Sequence, residues 1–394
     1  MQTMHLNEIA HSIKFELGHR VYFTRGVFGP ENRVLLDQLT LSGVVKPVRC
    51  LVFLDQGLLE RNPFLIGQIR DYFGKYSSEL QLASNPVWVP GGEDAKSGLN
   101  ALGKVVEAIA QNHLCRHSFV ITVGGGAVLD AVGLAASLVH RGLRQIRMPT
   151  TVLSQSDAGI GIKNGVNWGG QKNFLGSFQV PRAVINDFDL LESLGFDQRR
   201  DGTAEAVKVS LIRDREFFEW IEGNTRGILA RGTDAMETLI RRCASLHLGQ
   251  IAHGGDPFEL GTSRPLDFGH WLAHRLELLS EYRLSHGHAV AVGIAVDSLY
   301  SSRLGLLSVD QLERILSCLG ELGFSLRVGN RLRLVGEGLI ESLLEGISEF
   351  QEHLGGKLSL TLLKEIGKPI EVDEIDRYQM RQSIRKVIAG SFDF

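Results

Sequence analysis

Cysteine is scarce in this 394-residue chain. Cys50, Cys115, Cys243 and Cys318 stand far apart, with no Cys-x-x-Cys spacing. Such scatter argues against a disulfide framework and a thiolate metal centre, so buried, reduced thiols are expected. Long apolar runs are also missing. No uninterrupted stretch reaches the about 18 residues a membrane span requires, and the opening "MQTMHLNEIAHSIKF" lacks the apolar core of a secretory signal. No membrane partner and a cytoplasmic location are therefore expected. Charge of one sign is not in excess: the net charge is -3 and no long basic run occurs, which removes the main reason to expect a nucleic acid partner. Low-complexity segments and internal repeats are absent too. What is present is 43% hydrophobic and 22% charged residues, in a chain long enough for two domains with a core each. A small molecule is the expected partner.

From about residue 20 to about residue 190, short apolar runs rich in strand formers alternate with amphipathic stretches: "RCLVFLDQ", "VWVPGGE", "SFVITVGGGAVLDAVGLAASL", "QIRMPTT", "RAVINDF". That alternation predicts a doubly wound parallel sheet over residues 1–195. Beyond it, "AEAVKVSLI", "DAMETLIRRCASLHLGQIA", "FGHWLAHRLELLS" and "GHAVAVGIAVDSLYSSRLGLL" carry helical periodicity, and strand signals nearly vanish until "LSLTLL". Residues 196–394 are expected to form a mainly α-helical domain, with the polar, turn-rich "NDFDLLESLGFDQRRDG" at the boundary. Groups drawn from both halves would meet in the cleft between them.

Three clusters carry candidate chemistry. Gly124, Gly125 and Gly126 join a strand to a helix, where bare backbone amides and the helix dipole favour a pyrophosphate, although this is not a GxGxxG fingerprint and such turns also serve packing. Asp55, ending the strand "LVFLD", either takes ribose hydroxyls, which favours NAD over NADP, or caps a helix; Glu93 and Lys96 follow another strand on a loop. In the second half, Glu205 and Lys208 share one helix face amid apolar neighbours, which costs free energy unless each has a partner. His270 and His274 stand one turn apart, and His286 and His288 open a further helix. A glutamate with two histidines is an open zinc set; the alternative is ordinary helical histidines with a surface ion pair. Arg141, Lys163, Lys172 and Asn173 fall in Gly-rich segments expected to be loops, a placement that suits an anionic substrate group unless they are merely solvated.

Taken in order, "GGGAVLD", "HRGLRQIRMPTTVLSQSDAGIGIKNGVN", "KNFLGSF", "AEAVKVSLIRD", "DFGHWLAH" and "HGHAVAVG" resemble the sugar phosphate cyclases, the superfamily of 3-dehydroquinate synthase and the valiolone-forming cyclases. The resemblance covers most of residues 50 to 300. It implies Glu205, His270 and His286 as ligands of Zn2+, with Co2+ as a substitute. It implies Asp55, Glu93, Lys96, Gly124, Gly125, Gly126, Asp130, Thr150 and Thr151 as positions that hold NAD+. Asp157, Lys163, Lys172, Asn173, Lys208 and His274 match substrate-pocket positions, and Arg141 matches an arginine reaching the phosphate in a neighbouring subunit, so a homodimer is implied. The implied reaction is transient oxidation of a ring hydroxyl by NAD+, phosphate elimination, return of the hydride, and aldol closure to a carbocycle, with no net redox change. Lys208, Asp157, His274, Lys163 and Asp267 are the candidate catalytic residues.

The pattern departs at informative places. Where the quinate-forming enzymes read Asn-Phe-Gly-His, this chain has Asp267, and Arg264 stands one residue nearer His270. The lysine expected some twenty residues before that histidine falls at Gly249 and Gln250. That lysine and arginine hold a substrate carboxylate, so their loss and shift point instead to sedoheptulose 7-phosphate, which carries a hydroxymethyl group there. Asp267 would repel a carboxylate yet accept hydroxyl protons. His288 stands where glutamate is usual, and His353 falls near the place of a phosphate-binding lysine. His274 is kept, unlike in the 2-epi-5-epi-valiolone cyclases. The expected function is thus a valiolone-type cyclase; the alternatives are a 3-dehydroquinate synthase acting on 3-deoxy-arabino-heptulosonate 7-phosphate, a metal-dependent polyol dehydrogenase, and a catalytically dead binding protein on the same scaffold.

Overall fold

The runs "CLVFL" and "FVITV" are apolar on both faces, and the computed structural model places them in a parallel sheet covered on two sides. The structure describes residues 11, 16–41, 45–169, 171–231, 233–254, 258, 265–328 and 331–390. Strands β1 (Val21–Thr24), β2 (Val48–Asp55), β3 (Leu80–Leu82), β4 (Val87–Val89), β5 (Phe119–Gly124), β6 (Arg144–Pro149) and β9 (Ala183–Asp187) pair in parallel in the order β1-β9-β6-β5-β2-β3, with β4 also on β2. Alternation along β2 sorts its side chains: Cys50, Val52 and Leu54 enter one core, Leu51 and Phe53 the other. The first core is closed by α1 (Val34–Leu39), α2 (Gln56–Arg61) and α3 (Leu65–Lys75), the second by α4 (Leu99–Gln111) and α5 (Gly126–Leu138).

One expectation is corrected. Lys163, Lys172 and Asn173 lie not on loops but on an antiparallel hairpin, β7 (Lys163–Trp168) and β8 (Gln171–Phe178). Its sequence, "KNGVNW" and "QKNFLGSF", is poor in β-branched residues, so the strand signal is weak. What holds it is tertiary. The fully buried Arg147 donates to the carbonyls of Gly161 (2.8 Å) and Lys163 (3.0 Å) and to Asn164 Oδ1 (2.6 Å). Gly165 and Gly176 face each other in register, and a Cβ on Gly176 would meet the Asn164 carbonyl at 2.8 Å.

From Phe196 onward the described residues are mainly helical: α6 (Phe196–Arg213), α7 (Arg215–Leu229), α8 (Asp234–His253), α9 (His270–Leu279), α10 (His286–Arg303), α11 (Val309–Glu321), α12 (Gly336–His353) and α13 (Arg377–Ala389), with a small antiparallel pair, β10 (Leu360–Glu365) and β11 (Lys368–Val372). Helix α10 is buried around its whole circumference from Gly287 to Ser301 and packs against α6, α9, α11 and α13. Its Gly293 lets the turn before α9 come close, since a Cβ there would stand 2.0 Å from the Gly269 carbonyl. Gly269 itself is left-handed (φ 78°), and Asp297 of α10 accepts from the Gly269 amide and from Trp271 Nε1, each at 2.9 Å. Burial, against those two hydrogen bonds, pushes the Asp297 carboxyl up to about 7. These contacts decide where His270 begins its helix. No helix among the described residues is long and apolar enough to cross a membrane.

Candidate active site

Helices α6, α9 and α10 bring Glu205, His270 and His286 to one point. Glu205 Oε1 is 3.4 Å from His270 Nε2 and 3.3 Å from His286 Nε2, and one ligand atom from each of the three lies within 4.8 Å of the others. Atoms 2.0–2.1 Å from a tetrahedral ion lie about 3.3 Å apart, so this donor set fits a zinc-sized cation with a position left open. The ring orientations fit as well. His270 Nδ1 faces the Phe268 carbonyl at 3.2 Å, and His286 Nδ1 faces Glu277 Oε2 at 3.3 Å, which leaves both Nε2 atoms toward Glu205. Burial disfavours the charged imidazolium of His286, but Glu277 and then Glu205 outweigh it and raise the group to about 9.

The other oxygen of Glu205 takes Lys208 Nζ at 2.5 Å, and the same ammonium is 3.4 Å from Asp157 Oδ2. Burial opposes the Lys208 charge, yet Glu205 and Asp157 outweigh it and hold the group above its ordinary range; Asp267 adds to the effect. Glu205 is likewise held well below the carboxylate range, against burial, by Lys208 and His270. Asp157 sits on a π-helical turn, Ser154–Ala158, in the segment that follows β6. His274 lies one turn beyond His270, exposed to solvent on one side, its ring edge-on at 5.7 Å; the protein packed on its other side, then His270, lowers its pKa.

On the sheet side, Asp55 is the helix cap that its position allowed. It caps α2 by accepting from the Gly57 amide (2.8 Å), and its second oxygen faces the Gly125 amide at 3.4 Å. Helix α5 starts at Gly126 with no side-chain cap, so its first amides are open to an anion. A Cβ on Gly124 would meet Val128 at 2.9 Å and one on Gly126 would meet Ala158 at 3.1 Å, whereas Gly125 has ordinary clearance. Thr150 is buried, its amide on the Gly124 carbonyl, and Thr151 caps the turn that bears Asp157. Glu93 and Lys96 stand on a 3-10 turn after β4. Lys96 Nζ contacts Asp130 Oδ2 (2.6 Å) and Asn173 Oδ1 (2.8 Å), which ties the dinucleotide candidates to the hairpin. Lys172 Nζ reaches Glu277 Oε1 (2.9 Å) and Glu93 Oε1 (3.5 Å).

Lys163 opens β7 and acts electrostatically on His247. Asp267 ends a 3-10 turn just before His270, and Arg264 lies outside the described residues, as does the side chain of His353. His288 is not in this constellation. Its Nε2 stands 2.6 Å from the Ser325 carbonyl, and burial lowers its pKa, which marks it as a structural histidine. Arg141 is exposed with a left-handed backbone (φ 63°) and makes no ion pair among the described residues.

Two residues without a role in the sequence reading belong here. Glu277 is buried and bridges His286 to Lys172; burial opposes its ionisation, but His286 and Lys172 keep it well below the usual carboxylate range. Its signal was the i, i+4, i+7 spacing with His270 and His274 on one helical face. His247, on α8, places Nδ1 at 3.4 Å from Asp157 Oδ1, and no local pattern announces it.

The 3-dehydroquinate synthase N-terminal profile matches residues 86–201 and the corresponding C-terminal profile residues 202–345. The chain belongs to the 3-dehydroquinate synthase family. Within this family it is 32% identical over 376 residues to a 3-dehydroquinate synthase of Dictyoglomus turgidum, covering 91% of this chain and 99% of that one. It is 31% identical to a 2-epi-valiolone synthase of Actinosynnema mirum over 79% of this chain and 81% of the other. Its fold superposes with a TM-score of 0.84, at 27% identity and over 96% and 99% of the two chains, on the 2-epi-5-epi-valiolone synthase ValA of Streptomyces hygroscopicus, a structure holding NAD+ and Zn2+. The protein is thus a sugar phosphate cyclase of the 3-dehydroquinate synthase family. Because relatives with different products stand at 32% and 31%, overall likeness does not choose the sugar, and that choice falls to residues in the site.

Proposed function

We propose that this cyclase converts sedoheptulose 7-phosphate to a valiolone-type cyclitol with loss of phosphate. The observation that carries the choice of sugar is the wall around Lys208. Asp267 joins Asp157, at 3.4 Å, near enough to raise the Lys208 pKa, while α8 carries no lysine. Both arginines of α8 are engaged away from this wall: Arg242 with Asp214, and Arg241 with Glu237 and the rings of Phe23 and Phe188. Such a wall accepts hydrogen bonds from hydroxyls and repels a carboxylate.

In this reading Glu205, His270 and His286 hold Zn2+, with Co2+ as a substitute, and Asp55, Glu93, Lys96, Gly124, Gly125, Gly126, Asp130, Thr150 and Thr151 hold NAD+. The open helix terminus, the fit of the donor set, and the NAD+ and Zn2+ in the ValA structure support it. When bound, the metal supplies Lewis acidity toward a ring hydroxyl and the dinucleotide a reversible hydride acceptor. Lys208 remains charged and stabilises developing negative charge on the substrate oxygen beside it, while Asp157 orients that ammonium. Lys172, held by Glu277 and Glu93, together with Lys163, Asn173 and His274, lines the path of the phosphate. Arg141, exposed in one chain, reaches the phosphate of a second subunit, so the working unit is a homodimer, in the cytoplasm.

A second reading, 3-dehydroquinate synthase acting on 3-deoxy-arabino-heptulosonate 7-phosphate, is favoured by the Dictyoglomus relative's name and by the presence of His274. The test is to supply the pure protein with NAD+, Zn2+ or Co2+, and each sugar phosphate in turn. Phosphate release from sedoheptulose 7-phosphate without net NADH is expected. Release from the carboxylated sugar alone overturns the proposal, and net NADH from a simple alcohol would instead mark a polyol dehydrogenase.

A further inference from the structure

Opposite Glu205 and the two histidines, α8 directs His247 at the oxygen of Asp157 that Lys208 does not face. The separations are 3.4 Å from His247 Nδ1 to Oδ1 and 3.4 Å from Lys208 Nζ to Oδ2. The His247 side chain is only 12% exposed, so it is part of the site wall and not a solvated group. Burial lowers its pKa against the pull of Asp157, and Lys208 and Lys163 lower it further, so the ring is neutral near pH 7. A neutral imidazole carries one N–H, and a carboxylate facing Nδ1 draws the proton to that nitrogen. Nε2 is then left with a lone pair. It lies on the side of Gly161, where a Cβ would stand in ordinary contact at 3.8 Å and glycine has none.

We infer that His247 is a specificity-determining residue: its Nε2 accepts a hydrogen bond from a substrate hydroxyl bound beside Asp157. This rests on the proposed preference for a hydroxymethyl sugar and names a group that enforces it. A hydroxyl donates to Nε2 and so replaces the hydrogen bond it gave to water. A carboxylate has no proton to offer, meets a lone pair, and stands beside the charge of Asp157. The tautomer is the decisive feature, because a ring protonated on Nε2 would welcome the carboxylate instead. Asp157 thereby has two tasks, orienting Lys208 with one oxygen and setting the His247 tautomer with the other.

The test measures kcat/KM of the metal- and NAD-loaded protein for sedoheptulose 7-phosphate and for 3-deoxy-arabino-heptulosonate 7-phosphate, in the unaltered chain and in His247→Gln and His247→Lys. Glutamine is close in volume and can turn an N–H toward the substrate; lysine supplies a cation. The ratio of the two constants is expected to move toward the carboxylated sugar by about tenfold in His247→Gln and by about a hundredfold in His247→Lys, with metal content and NAD+ affinity unchanged. The glutamine variant alone decides the matter should the lysine variant not fold. A parallel fall for both sugars, leaving the ratio where it was, overturns the role of His247 while the functional proposal stands. Turnover of only the carboxylated sugar by the unaltered protein overturns both.

Discussion

Glu205 spends one oxygen on the histidines and the other on Lys208, so small changes at this residue separate metal binding from folding. In Glu205→Gln, and in His270→Ala, metal content by mass spectrometry is expected to fall to background and cyclase activity with it, while NAD+ affinity by titration calorimetry is unchanged. Retention of stoichiometric zinc in either variant means that the ligands are elsewhere. Glu277 acts on the metal only through His286, so Glu277→Gln is expected to weaken metal affinity by about 10–100-fold and not abolish it. Protonation gives an independent check. The metal-free His286 is protonated up to about pH 9. A proton on Nε2 competes with a metal ion, so affinity rises with pH, by about tenfold per unit between pH 6 and 8, and binding near pH 7 releases one proton. Affinity of Co2+ that is flat across that window contradicts the assignment of His286.

At the scale of elements, the site depends on how closely α9 approaches α10. In Gly293→Ala the new methyl would stand 2.0 Å from the Gly269 carbonyl, which must displace the turn that aims His270. A loss of about 1–3 kcal/mol of stability is expected, read as a lower Tm, together with weaker metal binding. An unchanged Tm would mean that the two helices have slack. The elements also show what could be read beforehand. Strands β2 and β5 were legible because both of their faces are buried, so their apolar runs are nearly continuous. The β7–β8 hairpin was not, because its stability comes from Arg147 beneath it and from paired glycines, neither of which is a local strand preference. Its polar, Gly-rich text reads as loop, and the correction moves Lys163, Lys172 and Asn173 onto a defined register.

At the scale of the molecule, the site is assembled from both halves: Asp157, Lys163 and Lys172 come from the sheet side, and Lys208, His247 and Glu277 from the helices. The proposed role of Arg141 extends assembly to a second subunit and can be tested by complementation. Arg141→Ala and Glu205→Gln homodimers are each expected to be nearly inactive. A mixed dimer has one complete site, with Arg141 supplied by the Glu205→Gln subunit, so mixing after partial unfolding is expected to restore roughly a quarter of the original activity, since half of the random dimers are mixed and each carries one of two sites. No recovery, with mixed dimers demonstrated by mass, places Arg141 outside the neighbouring site.

The chain's text alone determined the alternation of strand and helix, the glycine turn, and the order of motifs that marks the family, because these are local: they depend on neighbours a few residues away. It also brought Glu205, His270 and His286 forward as a metal set, since each sits in a recognisable word. Tertiary structure alone decided how those words touch. That Glu277 stands behind His286, that Arg147 carries the hairpin, and that Asp157 divides its oxygens between Lys208 and His247 are contacts between residues 9 to 90 positions apart, on different elements. No local preference encodes such contacts; they arise when separate elements bury their apolar faces together and the polar groups carried along must find partners in the space that remains.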